Sequence, residues 1–195
     1  MKKLNVKKTL TSLAVASLFV AGTAQADLNY NYVEGGLGIW SPSSQTLIGP
    51  DIRASFAATE DVFIYGGFRF LTDDIDYTNF HVGAGYRFAL NGKTDIWGGA
   101  NIEYQELESC LPSLFGSVCG SVDDTSLALR GGARHQLNDE LEVGGSLRLV
   151  TGDFDYLGLN GHARYKLADN LDFKGELDIQ DGDLGLFAGV TYYFK

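Results

Sequence analysis

Several residue types are scarce in this chain, and each shortage narrows the fold. In 195 residues there are three prolines, two cysteines, one methionine and three histidines. Beyond residue 26, no apolar stripe recurs at helical spacing over three turns. Nor does any stretch there approach the ~20 apolar residues that a spanning helix needs. If the chain crosses a membrane, it crosses with strands. Basic residues are also few, 15 Lys and Arg against 25 Asp and Glu. Recognition of nucleic acid requires a basic footprint, so no nucleic-acid partner is expected.

Glycine and aromatic residues are plentiful instead, with 25 Gly, 10 Tyr and 12 Phe. That composition favours strands and tight turns. The chain begins with Lys2, Lys3, Lys7 and Lys8, then an apolar run from Leu10 to Val20, then Ala24-Gln25-Ala26. This is the pattern of an export signal, so residues 1–26 are expected to be a cleaved signal peptide with Asp27 the first mature residue. Cleavage removes four lysines and no acid, which leaves a more acidic domain over 27–195. No cysteine lies near the junction, so a lipid-modified N-terminus is not expected.

The remainder divides into ten runs, near 29–40, 51–59, 62–71, 78–90, 94–106, 125–137, 140–150, 156–167, 171–180 and 184–194. Four connections are short and alike: 58–61, 90–93, 137–140 and 167–170. The others vary, and one is long. Apolar residues alternate with polar residues or glycine. In 78–90, Phe80, Val82, Ala84, Tyr86, Phe88 and Leu90 share one face, with His81, Gly83, Gly85 and Arg87 opposite. In 171–180, Leu171, Phe173, Leu177 and Ile179 oppose Asp172, Lys174, Glu176 and Asp178. A soluble sandwich also alternates. Most of these runs, however, reach the ~9–11 residues of a tilted membrane strand, and the polar parity mixes both charges with glycine, as a lumen does. The expected fold is all-β, an antiparallel up-and-down transmembrane β-barrel. Ten strands return both ends to one rim; eight is the alternative if one hairpin stays outside the wall.

Nearly every basic residue past 26 falls on the inward parity: Arg53, Arg69, Arg87, Arg130, Arg134, Arg148, Arg164, Lys166 and Lys174. An ion in the lipid-facing band costs ~2–4 kcal/mol at mid-depth, so this segregation reports topology first. Arg87, Arg134 and Arg164 each precede a short turn, and Asp95, Glu142 and Asp172 each follow one. A charge network near the turn-side floor is therefore expected among these six residues, structural before selective. Ten strands at ~4.8 Å spacing and ~40° tilt enclose a diameter of about 20 Å. Arginines reaching inward would leave a narrow or salt-bridge-plugged lumen.

Cys110 and Cys119 both lie in the long connection, 107–124. In an exported chain they are expected to form a disulfide, and no histidine lies near enough to suggest a metal. Leu111, Leu114, Phe115 and Val118 make this connection apolar. It would either pack over the barrel mouth or meet lipopolysaccharide or a protein partner, which would make the molecule a surface adhesion or interaction protein.

For catalysis the candidates are thin. Asp73-Asp74 and Asp123-Asp124 sit at a rim on short loops. His81 and Ser126 share the lumenal side, while His162 is inward and His135 outward. A lipid-modifying enzyme would need a Ser and His activated together, and nothing in their spacing demands it. No enzymatic activity, catalytic residue, metal or cofactor is expected.

The segment Tyr30-Asn31-Tyr32-Val33-Glu34-Gly35-Gly36 and the final Val190-Thr191-Tyr192-Tyr193-Phe194-Lys195 resemble those of the small Gram-negative outer-membrane β-barrel proteins, the OmpA-like and porin-like group. The resemblance covers 27–195 through architecture and weak motifs. It implies a multi-pass outer-membrane location and contact with outer-membrane lipid and lipopolysaccharide. It also implies assembly through the barrel-assembly machinery, with Val190, Tyr192 and Phe194 as the insertion signal. That signal is off pattern, since Lys195 follows the terminal aromatic. No further domain is expected after the barrel, and so no C-terminal peptidoglycan-binding role. The oligomeric state stays open.

Overall fold

A computed structural model describes residues 28–42, 45–113 and 116–194; the expected signal peptide lies outside them. Ten strands form one closed barrel: β1 (Tyr32–Ser41), β2 (Leu47–Ala57), β3 (Val62–Thr72), β4 (Ile75–Asn91), β5 (Thr94–Ser113), β6 (Gly116–Gln136), β7 (Leu141–Val150), β8 (Tyr156–Ala168), β9 (Leu171–Gln180) and β10 (Asp183–Tyr193). Each strand pairs antiparallel with its sequence neighbours, and β1 pairs with β10 to close the wall. The eight-stranded alternative is thereby excluded.

The alternation sets the two faces. Leu37, Ile52, Ile102, Leu147 and Leu157 point outward and remain more than half exposed, while Glu34, Asp51, Glu103 and Thr191 point inward and are buried. Side chains organise the turns on the rim nearest the chain ends. Asn138 Oδ1 accepts from the N–H groups of Glu140 and Leu141. Thr59 Oγ1 does the same for Asp61 and Val62. On the opposite rim Asp181 (φ 48°) and Gly182 (φ 100°) join β9 to β10 in the left-handed region. An Asp-Gly pair suits that two-residue turn, because both positions need positive φ.

Three expected boundaries are corrected. Strand β1 starts at Tyr32, because residues 28–31 leave the wall. Strand β2 starts at Leu47 and runs through Pro50, an outward position whose missing N–H the β2–β3 ladder skips. The largest change concerns 107–124, which is not a loop. β5 and β6 continue their ladder through Leu107↔Val122 and Cys110↔Cys119 to Ser113↔Gly116. Pro112, Gly116 and Gly120 suggest a loop, yet the cross-strand pairing prevails. β4 accompanies β5 only to Ser109, and β7 accompanies β6 only from Ala128. The hairpin therefore stands beyond the wall, and its residues 118–123 are exposed and do not pack over the mouth.

Cys110 and Cys119 face each other across this arm and form the disulfide. Because the bond staples a hairpin already closed by its own ladder, Cys110→Ser with Cys119→Ser should leave the urea midpoint of the barrel unchanged. Proteolysis within 107–122 should accelerate, as seen by mass spectrometry of the fragments.

Candidate functional site

The lumen gathers the polar side chains of every strand. Its main feature is a continuous run of ion pairs. Glu34 on β1 is buried and accepts from four donors: Arg164 Nε (3.2 Å) and Nη2 (2.6 Å) on β8, Lys174 Nζ (2.8 Å) on β9 and Thr191 Oγ1 (3.1 Å) on β10. Lys174 also contacts Glu176 at 2.8 Å. Glu176 receives Arg53 Nη1 at 2.7 and 2.8 Å. Arg53 makes a two-pronged contact with Asp51 (3.0 and 2.7 Å), and Asp51 also holds Arg69 (2.7 Å). In the other direction Arg164 Nη1 reaches Glu142 on β7 (2.6 Å), which is gripped by Arg134 of β6 through two 2.9 Å bonds. The guanidinium fork matches the two carboxylate oxygens, which is why arginine holds these corners. The chords from β2 to β9 and from β8 to β1 each pass over two intervening strands.

Of the six residues expected to form the floor network, the structure brings Arg87 to Asp95 (3.5 Å) and Arg134 to Glu142. The third pairing is a correction. Arg164 goes to Glu34 and Glu142, and Asp172 instead accepts from Tyr193 Oη (2.9 Å). Lys166, although on the inward parity, is at the rim and pairs with Asp169 in the turn. Of the expected insertion signal, Val190 and Tyr192 face outward and are exposed, while Phe194 lies past β10 and donates its N–H to the Asn31 carbonyl.

Sequence reasoning missed two features of the lumen. The first is the segment before β1, which turns inward. Leu28 and Tyr30 are buried, and Tyr30 packs on Phe63 with ring centroids 4.8 Å apart. Arg134 and Arg87 lie over the Tyr30 ring, and they donate to the Asn29 and Leu28 carbonyls respectively. The second is a pair of lumenal apolar clusters. One joins Leu28, Tyr30 and Phe63 with Tyr65 and Trp97; the other joins Leu47, Leu71 and Tyr77 with Trp40 and Leu107. Phe63, Tyr65 and Leu71 share parity with Arg69, so counting parity along 62–71 would have placed them inside.

Inward glycines make room for these rings. Phe63 lies across Gly85, His81 across Gly67 and His162 across Gly144, each on the paired neighbouring strand. A ring over a strand glycine fills the space its missing side chain leaves. Open space survives in a mid-lumen cavity of about 150 Å³ and in one of about 220 Å³ at the turn-side end between Asn29, Glu142, Asp172 and Tyr193.

The catalytic candidates are not assembled into a site. Ser126 donates to Asp124 (2.7 Å), not to His81, whose Nδ1 faces Asn79 Oδ1 at 3.4 Å. His162 faces Asn160 in the same way, and outward His135 bonds Thr94. Asp124 Oδ2 also takes the N–H groups of Asp153 and Phe154, which anchors the β7–β8 loop. Among the described residues, the metal-type grouping Glu108, Cys110 and Cys119 has both sulfurs engaged in the disulfide.

No family model and no curated protein matches this sequence. Solved structures do. The chain is 14% identical to a KdgM porin, over 84% of this chain and 99% of the porin, with a TM-score of 0.51. It is 13% identical to a KdgM porin in complex with disordered oligogalacturonate, over the same shares, with a TM-score of 0.50. The N-terminal β-barrel domain of Pseudomonas aeruginosa OprF is 18% identical over 84% of this chain and 98% of that one, with a TM-score of 0.46. The likeness to the first two lies in the fold, a closed antiparallel β-barrel.

Proposed function

We propose that the protein is a non-enzymatic integral barrel of the outer membrane, exported by a cleaved signal peptide, whose lumen is held narrow by its own charges. The observation that carries this reading is the continuous ion network from Arg69 through Glu34 to Arg134, with Tyr30 set into its turn-side end. An open general pore keeps a polar channel free of crossing side chains. Here arginines and carboxylates bridge strands on different parts of the wall and use up one another's hydrogen-bonding capacity. The apolar outer surface faces lipid and lipopolysaccharide, and the alternation of Val190 and Tyr192 with Phe194 suits recognition by the barrel-assembly machinery. Single-channel recording of the refolded protein in planar bilayers tests the lumen. The expected result is at most a small, flickering conductance, while large stable steps from wild type would overturn it. Arg53→Ala with Arg164→Ala removes both chords and should raise the conductance.

The protruding β5–β6 arm supports a second reading, a surface contact with a partner. It extends past both neighbouring strands and exposes Val118 and Val122. Deleting 108–122 should abolish any adhesion that the protein confers on cells; unchanged adhesion would remove this reading.

A further inference from the structure

The mid-lumen cavity holds a pair of arginines whose arrangement the structural network does not account for. Arg130 on β6 and Arg148 on β7 are direct cross-strand partners. Like charges placed opposite each other destabilise a sheet. Arg53, Arg134 and Arg164 each apply two or more nitrogens to carboxylates. Arg130 and Arg148 do not. Arg130 reaches Glu103 through Nη2 alone (2.9 Å), and Arg148 reaches Asp178 through Nη2 at 3.3 Å. The Nε atoms of both are buried without a protein acceptor. Nearby carboxylates are already committed. Glu103 also accepts from Asn79, Asn101 and Tyr156, and Asp178 takes Gln180 at 2.6 Å.

Besides carboxylates already held by cations of the network, Glu34, Asp51 and Glu176, and Asp178 on Arg148, the cavity beside this pair has two kinds of wall. Arg130, Arg148, Ser146 and Asn160 line it from β6, β7 and β8, and the rings of Tyr65 and Trp97 line it from β3 and β5. Arg130 stands 5.8 Å from the centre of the Tyr65 ring, so charge and ring belong to one space. The donors call for an anion, and the fork geometry favours a carboxylate. The rings call for a flat apolar body. A cavity of about 150 Å³ is of the size that accepts benzene.

We infer that this cavity binds a small aromatic monocarboxylate of about benzoate size, its carboxylate between Arg130 and Arg148 and its ring against Tyr65 and Trp97. The inference deepens the reading of the lumen as narrow and ion-paired, and rests on it for the confinement of the ligand. Bound there, the anion supplies acceptors to the two guanidiniums and relieves their mutual repulsion.

The test follows Trp97 fluorescence of the refolded protein in a Trp40→Phe background, since the chain has two tryptophans. Sodium benzoate, sodium acetate, inorganic phosphate and benzyl alcohol are titrated at constant ionic strength. Benzoate should quench saturably, with each other probe at least tenfold weaker, because each lacks the ring or the carboxylate. Arg148→Gln should weaken benzoate about tenfold or more, the scale of one lost charged hydrogen bond. Ser146→Leu should weaken it similarly by filling the cavity while both arginines remain, and a heat-modifiability gel identifies which variants are folded. Equal quenching by benzoate and benzyl alcohol, tighter binding of phosphate, or unaltered benzoate affinity in the folded variants would overturn the inference. Its failure is distinct from that of the narrow lumen. Large conductance with benzoate saturation intact removes only the narrow lumen, and small conductance without saturation removes only this site.

Discussion

Glu34→Ala is expected to lower the unfolding free energy by about 3 kcal/mol, the low end of what breaking a buried ion pair costs. The carboxylate is 1% exposed and takes Arg164, Lys174 and Thr191 at once. Its removal leaves two buried cations short of a partner, though Arg164 keeps Glu142 and Lys174 keeps Glu176. That residual pairing sets the estimate at the low end. Urea titration of the refolded barrel, followed by tryptophan fluorescence, measures the change. Glu34→Gln should cost less, since the amide oxygen still accepts. Adding Lys174→Met to Glu34→Ala should recover part of the loss, because a cation without its counter-ion is worse than an apolar chain. An additive or larger loss in the double variant would contradict the network.

Gly36→Val should be about as damaging, for a different reason. Gly36 of β1 and Gly189 of β10 are partners at the closing seam. A Cβ on Gly36 would collide with the backbone of Ala188 and Gly189, and a Cβ on Gly189 would meet Gly35 and Gly36 in turn. Backbone cannot rotate aside as a side chain does, so the strands must separate. The expected cost is about 3 kcal/mol, the upper part of the overpacking range. The control is one residue away. Gly35 faces outward, and nothing lies within 4 Å of a Cβ placed there. Gly35→Val should therefore leave stability within about 0.5 kcal/mol. A heat-modifiability gel would show the folded band depleted for Gly36→Val and full for Gly35→Val.

How much of this was legible in the sequence depended on which neighbour a residue answers to. Alternation placed Glu34, Arg134 and Glu142 in the lumen, because parity is a property of one strand. The short turns placed Arg134 beside Glu142, because both belong to one hairpin. Arg164 went elsewhere because each strand has two neighbours. Across β7 and β8 it is the direct partner of Glu142, while across β8 and β9 it faces Lys174. Reading turn-side hairpins alone ignores the first of these pairings. The inserted Tyr30 was hidden because it continues the parity of Tyr32 and Glu34, so nothing local marks the departure from the wall. The long β5–β6 arm was obscured by Pro112 and by glycines that usually end strands. In the lumen, the chords from Arg53 to Glu176 and from Arg164 to Glu34 join residues 123 and 130 apart in sequence. Such pairs exist only once the wall has closed.

That dependence has a kinetic side. β1 has two partners, β2 and the last strand of the sequence, β10, so Tyr32 meets Tyr193 only when the rest of the sheet has curled round. Closing so long a loop is entropically slow. Until then Arg164 and Lys174 wait in water without Glu34, and Tyr30 has no lumen to enter. Closure must bring the carboxylate, its two cations and the tyrosine out of water together. The barrel should therefore zip shut in one cooperative final step, and a Glu34 variant should slow that step as well as weaken its product.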